Sequence, residues 1–118
     1  MRTHKDLDVW KNGVELVKKI YVATSDFPKE EMYGLTSQIR RSAISIPSNI
    51  AEGSARNSTR EFIQFLYFAL GSTAELETQL LISKDLGYLK DLSVFKDLEK
   101  IKVQLVNLIK SLKNKIGE

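Results

Sequence analysis

Apolar residues recur every three or four positions along most of the chain, which is the spacing of one face of an α-helix. No segment alternates apolar and polar residues in the manner of a strand. The pattern predicts four helices: from about Asp6 to Thr24, from Glu30–Met32 to Ala51–Gly53, from Ser58 to Leu86, and from Leu92 to Ile116. Four long helices with short connections are typical of an antiparallel up-and-down four-helix bundle. We therefore expect an all-α fold and a single domain over residues 1–118.

Local signals mark the predicted helix ends. Pro28 disfavours a helical backbone at the residue before it, so the first helix should end ahead of that proline. Ser58 and Glu61 have the spacing of a capping box. In this motif each side chain accepts a hydrogen bond from the backbone amide of the other residue at the start of a helix. Gly87 follows the third apolar stretch and suits the position just beyond a helix end.

Pro47 falls inside the second predicted helix, where a proline removes one backbone hydrogen bond and usually bends the axis. The alternative is a short break, with Pro47 in the first turn of a new helix and Ser45 near its cap. We expect one helix kinked at Pro47, because its apolar stripe continues through the proline: Ile39, Ala43, Ile46 and Ile50.

The third predicted helix is apolar around most of its circumference, with an unbroken apolar run that includes Phe65, Tyr67 and Phe68. A helix of this kind is normally buried on more than one side. One bundle covers only one broad face of each helix. We therefore expect a second subunit to cover Phe65, Tyr67 and Phe68 as an oligomer interface. Alternatively, a loop or a chain terminus covers Tyr67 and Phe68.

Residues able to support catalysis or metal binding are scarce. The chain has no cysteine and one histidine, His4, near its beginning, so we expect no metal, no cofactor and no enzymatic activity. Glu52 and Glu75 are expected to form buried or half-buried ion pairs with arginines rather than to act as an acid and a base. Without an apolar leader or a membrane-length apolar run, the sequence favours a cytoplasmic protein.

Basic residues are concentrated in two parts of a chain whose net charge is +3. Four of the five arginines lie in a 21-residue window that contains one acid, Glu52, and further lysines follow near the end. Arginine and lysine bind phosphates, so the candidate nucleic-acid-binding residues are Arg40, Arg41, Arg56, Arg60, Lys110 and Lys113. The alternative is a solvated face whose arginines pair with Glu52, Glu61 and Glu75.

Two motifs resemble a known family. QIRRSAISIPSNIAEG (residues 38–53) and GSTAELETQL (residues 71–80) are similar to segments of the four-helix-bundle family of 23S rRNA intervening-sequence proteins. The resemblance extends over about Asp6–Leu112. It implies a bacterial cytoplasmic bundle that assembles into a ring, typically a homopentamer, without established catalytic residues. A related branch resembles accessory proteins of diversity-generating retroelements, which bind nucleic acid and a reverse transcriptase.

These observations favour a non-enzymatic homo-oligomer that associates with RNA, including ribosomal RNA, through basic surface patches. The alternative is a protein-interaction scaffold that docks a partner such as a reverse transcriptase. A gene position inside an rRNA gene would favour the first function, and a neighbouring reverse-transcriptase gene the second.

Overall fold

The chain folds into four α-helices in the computed structural model. The structure describes residues 3–117, apart from the side chain of Asp6. The helices are α1 (Asp8–Ala23), α2 (Leu35–Ser54), α3 (Thr59–Asp85) and α4 (Ser93–Lys115). Single 3-10 turns precede α1 at His4–Asp6 and α2 at Lys29–Glu31. No strand occurs in this part of the chain, so the prediction of an all-α four-helix fold is confirmed. The predicted domain includes residues 1, 2 and 118, which lie outside the described residues.

Each helix packs against its neighbours in the chain, and α4 returns to pack against α1. Contacts between α1 and α4 occur in reverse order along the two helices, since Asn12 Nδ2 donates to Gln104 Oε1 at 3.0 Å and Lys19 contacts Asp97. These two helices therefore run in opposite directions. The bundle is elongated, with principal extents of 48 × 20 × 20 Å.

The core is made of aliphatic side chains from all four helices. The predicted stripe on α2 is fully buried, and its central residues Ile46 and Ile50 are 0% exposed. The other helices contribute the following buried side chains: Leu16, Ile20, Leu66, Leu76, Leu80, Ile101 and Leu105. At about 1.5–3 kcal/mol for each large aliphatic side chain, this burial is the main source of stability.

The predicted caps are present at both ends of α3. Ser58 Oγ accepts a hydrogen bond from the Glu61 amide at 3.1 Å, and the same hydroxyl lies 3.4 Å from Glu61 Oε2. Gly87 has a positive φ of 81°, a conformation that glycine adopts without strain. This conformation lets the Tyr88 amide donate to the Ser83 carbonyl, so the end of the helix is satisfied as α3 turns into the α3–α4 connection.

Helix α2 runs without interruption through Pro47. The alternative of a second helix beginning at the proline is therefore wrong. Pro47 is buried and packs towards α1, where a Cβ placed on Gly13 would lie 3.5 Å from the proline Cβ. A methyl group at Gly13 would thus touch the ring at an ordinary van der Waals distance. The kink at Pro47 stays a prediction.

Candidate functional site

The four arginines of the 40–60 window do not form one surface. Arg40 and Arg41 lie in the first part of α2, whereas Arg56 and Arg60 follow its last residue. A separation of 15 residues corresponds to about 22 Å along a helix axis at 1.5 Å per residue. The candidate residues therefore divide between the two ends of the bundle.

Arg40 joins α2 to the end of α1. Its Nε donates to Thr24 Oγ1 at 3.0 Å, and its guanidinium lies 4.5 Å from the centroid of the Tyr21 ring. Thr24 is buried and its hydroxyl donates in turn to the Ile20 carbonyl at 2.8 Å. Arg40 Nη2 also lies 3.5 Å from the Tyr21 carbonyl oxygen, to which it donates, so these contacts use Arg40 as a clamp between helices.

Arg41 is exposed and makes no hydrogen bond or ion pair with any residue that the structure describes. With Arg40 it lines an open groove of about 470 Å³ on the outer side of α1 and α2. We call this the Arg41 groove, and its lining residues are Tyr21, Met32, Ser37, Arg40, Arg41, Ile44 and Ser45. The lining carries two guanidinium groups and no carboxylate.

Arg56 has partners on both sides. Its guanidinium lies 3.4 Å from Glu52 Oε2 and 4.7 Å from the centroid of the Phe65 ring. The expected arginine partner of Glu52 is thus confirmed, as a solvent-exposed pair of about 0.3–0.5 kcal/mol at most. The same expectation is wrong for Glu75, whose carboxylate accepts a hydrogen bond from Ser42 Oγ at 3.0 Å.

A second basic surface lies where α3 begins and α4 ends. Arg60 and Lys113 line one pocket of about 270 Å³, together with Ile63, Gln64 and Tyr67. Lys113 Nζ lies 5.2 Å from the centroid of the Tyr67 ring. Lys110 is exposed and stands one turn earlier on α4. We call Arg60, Lys110 and Lys113 the basic end cluster.

The three aromatic residues expected at an oligomer interface lie on two flanks of α3. Phe65 is half-buried and meets Phe68 edge to face, with ring centroids 5.4 Å apart. Tyr67 instead faces Lys113 of α4. Tyr67 and Phe68 are 42% and 47% exposed, so neither a loop nor a terminus among the described residues buries them. That alternative is therefore wrong within residues 3–117.

The outer face of α3 continues with residues that the sequence did not single out. Gly71 is exposed, and a Cβ placed on it would have no neighbour within 4 Å. Further along, Leu81 is 45% exposed and has Glu77 and Asp85 one turn to either side. Their spacing of four residues is readable in the sequence. Their exposure is not, because it depends on where α2 and α4 pack.

The cleft between α1 and α4 is an open cavity of about 440 Å³, and polar pairs span it. Lys19 Nζ lies 2.6 Å from Asp97 Oδ2, and this hydrogen bond raises the pKa of Lys19. His4 makes an edge contact with Trp10, at 5.0 Å between ring centroids. Over the described residues, no three His, Cys, Asp or Glu side chains cluster as metal ligands would. In the same range no helix combines the length and apolarity needed to cross a membrane.

Comparison with known families gives one match that covers nearly the whole chain. A family model described as 23S rRNA-intervening sequence protein matches residues 5–114. No curated protein matches the chain.

Proposed function

Because the chain belongs to the 23S rRNA-intervening sequence protein family, we propose that it is a homo-oligomeric helical bundle that associates with RNA and has no catalytic activity. From the family resemblance, we further propose that the oligomer is a pentamer and that it is located in the bacterial cytoplasm. Ribosomal RNA is one candidate for the RNA partner. Binding is electrostatic: arginine and lysine side chains contact RNA phosphates, and the helical bundle holds these side chains in place.

The basic end cluster is the observation that supports this function best. Arg60 comes from the start of α3 and Lys113 from the end of α4, yet they line one pocket that contains no carboxylate. Arg60 also lies in the first turn of α3, where the helix dipole favours an anion. Tyr67 stands beside the cluster, with Lys113 Nζ 5.2 Å from the centroid of its ring.

Arg40, Arg41 and Arg56 extend the proposed contacts beyond that end. Arg41 is exposed and makes no hydrogen bond or ion pair within the described residues, whereas Arg40 and Arg56 are already engaged within the chain. All three side chains still contribute positive charge. In a subunit that is not assembled, we therefore expect Arg41 to contribute more to RNA affinity than Arg40 or Arg56.

Self-association multiplies these contacts, because every subunit repeats the same cations. The exposed rings of Tyr67 and Phe68, with Phe65 beside them, are the proposed apolar contacts between subunits. Large exposed aromatic side chains are enriched at protein interfaces. An assembly also raises affinity through multiple simultaneous contacts with one RNA molecule.

The test is a salt titration of binding to structured rRNA fragments and to a matched DNA duplex, with nuclease-treated protein of measured oligomeric mass. The triple variant Arg60→Ala/Lys110→Ala/Lys113→Ala should bind RNA at least about tenfold more weakly, with a shallower salt dependence. The control variant Lys29→Ala/Lys84→Ala/Lys96→Ala removes the same charge from exposed positions elsewhere and should retain most of the affinity. Equal losses in both variants, or no binding by the wild type at low salt, would overturn the proposal.

A protein-interaction scaffold is the second candidate, and the opposite end of the bundle favours it. The two connections at that end meet through Phe27 and Tyr88, whose ring centroids are 5.7 Å apart. The same connections carry exposed apolar side chains, including Tyr33 at 96% and Leu86 at 55% exposure. Single aspartate substitutions of Tyr33 and Leu86 should abolish binding to a purified reverse transcriptase if this end docks such a partner.

A further inference from the structure

We propose that the Arg41 groove of one copy receives the outer face of α3 of a second copy, centred on Leu81. This inference rests on the self-association in the proposed function and names the two surfaces that meet. The contact is between unlike surfaces, so every copy offers one groove and one α3 ridge.

The groove is suited to bind a segment that carries both acidic and apolar side chains. Its apolar walls are open to solvent, since Tyr21, Met32 and Ile44 are 40%, 45% and 41% exposed. Arg40 and Arg41 bring two positive charges, and the groove lining holds no acid. An occupant must therefore supply both an apolar side chain and at least one carboxylate.

The ridge on α3 supplies that combination. Leu81 is 45% exposed, with Glu77 one turn before it and Asp85 one turn after it. Both carboxylates are exposed, and neither makes a hydrogen bond or an ion pair within the described part of the chain. An apolar side chain flanked by two unpaired carboxylates complements a groove of apolar walls and two guanidinium groups.

The two surfaces cannot meet within one chain. The groove belongs to the outer side of α1 and α2, whereas Glu77 lines the cleft between α3 and α4. In a bundle whose neighbours are α1–α2, α2–α3, α3–α4 and α4–α1, these are different flanks. The ridge of one copy can therefore reach only the groove of another.

Groove and ridge also lie at similar heights along the bundle. Ser42 of α2 bonds Glu75 of α3, and Ser45 bonds Ser72. Arg41 is next to Ser42, and Glu77 is two residues from Glu75. Arg41 and Glu77 therefore lie within about one helical turn of each other along the bundle axis. Two copies placed side by side with parallel axes can thus bring Arg41 of one towards Glu77 of the other. Repetition of this unlike contact generates a closed ring when the rotation closes.

Small residues on α3 allow a second copy to come close. Gly71, Ala74 and Thr78 are all exposed on the side of the helix that also carries Leu81. Gly71 has open space where its Cβ would be. A glycine in the middle of a helix is unfavourable by about 1 kcal/mol relative to alanine, and close approach of a second backbone gives that position a purpose.

The experiment measures subunit mass against concentration by sedimentation equilibrium, using nuclease-treated full-length protein. Arg41→Glu and Glu77→Arg alone should each raise the subunit dissociation constant by about tenfold or more, because each places like charges together. The double variant Arg41→Glu/Glu77→Arg should recover most of the wild-type affinity. An equimolar mixture of the two single variants should form mixed assemblies, since each supplies the surface that complements the other; a ring of five keeps one like-charge contact and should therefore be weaker than that of the double variant.

Three results separate this inference from the proposed function. A wild-type protein that is monomeric at all concentrations overturns both self-association and the groove contact. An assembled wild type whose mass is unchanged by Glu77→Arg overturns the groove contact alone. Single variants that dissociate without rescue in the double variant also overturn it. Lys84→Ala, two turns beyond Glu77 on α3, is the control and should leave assembly intact, and circular dichroism confirms that each variant is folded.

Discussion

Gly53 of α2 lies so close to Phe65 of α3 that a Cβ on the glycine would be 2.6 Å from the phenylalanine Cβ. The same atom would be 3.0 Å from Phe62 Cδ1. This approach brings the end of α2 against the beginning of α3 and holds Phe65 beside Arg56. Gly53, which ends the motif QIRRSAISIPSNIAEG, is therefore required by packing between helices.

We expect Gly53→Ala to lower the free energy of unfolding by about 2 kcal/mol, because the added methyl group meets the base of a side chain that cannot rotate away. Urea denaturation of the purified protein measures this change. Gly13→Ala is the matched control, since its Cβ would lie at an ordinary 3.5 Å from Pro47 and the helix gains a better helix former. A Gly53→Ala variant as stable as Gly13→Ala would contradict the prediction.

Gly71→Ala should act in opposite directions on folding and on assembly. The isolated subunit should gain about 1 kcal/mol, because the position is helical and the added methyl group meets nothing in its own chain. Subunit affinity should fall if a second copy packs on this face. Urea denaturation in dilute solution and sedimentation at high concentration measure the two effects. A stabilised variant that assembles as well as the wild type would show that this face is solvated in the assembly.

Ser58→Ala should reduce stability by about 1 kcal/mol, because it leaves the Glu61 amide without its hydrogen-bond acceptor at the start of α3. Thermal denaturation of Ser58→Ala and Ser58→Asp provides the measurement, and the aspartate should retain most of the wild-type stability. Ser48→Ala replaces an exposed serine within α2 and should change stability little. Equal melting temperatures for Ser58→Ala and Ser48→Ala would show that the cap contributes nothing.

Asp91 should make the stability of the start of α4 dependent on pH. Hydrogen bonds from the Ser93 hydroxyl and amide lower the pKa of Asp91 below its ordinary value of 3.8. A lowered pKa in the folded state means that the ionised carboxylate stabilises the fold above the unfolded pKa. That contribution is lost as the pH falls through the folded pKa. Asp91→Asn should therefore melt below the wild type at pH 7, and the two curves should converge below about pH 4.

Convergence is the informative part of the Asp91 measurement. Melting temperatures of both proteins across the range from pH 7 to pH 3 would show it, with Asp85→Asn as a control for general charge effects. A constant difference between wild type and Asp91→Asn at every pH would attribute the effect to packing rather than to ionisation.

The four helices and most of their ends are predictable from the sequence, because they depend on interactions between residues that are near in the chain. The apolar stripe of α2, the Ser58 cap and the turn at Gly87 are all local features of this kind. A family resemblance carried by residues 38–53 and 71–80 pointed to the same fold. Helix α2 was also expected to continue through Pro47, since its stripe does so.

The contacts of each side chain in the candidate site follow from how the helices pack and cannot be predicted from the sequence. Arg40 and Arg41 are neighbours in the chain, but successive residues on a helix point about 100° apart, so one clamps α1 and the other lines an open groove. Gly53 and Gly71 both lie within helices, yet one faces a phenylalanine and the other faces open space. Arg60 and Lys113 are far apart in sequence and meet because α3 and α4 pack together. Such pairings depend on the rotation and spacing of whole helices, which local sequence patterns do not specify.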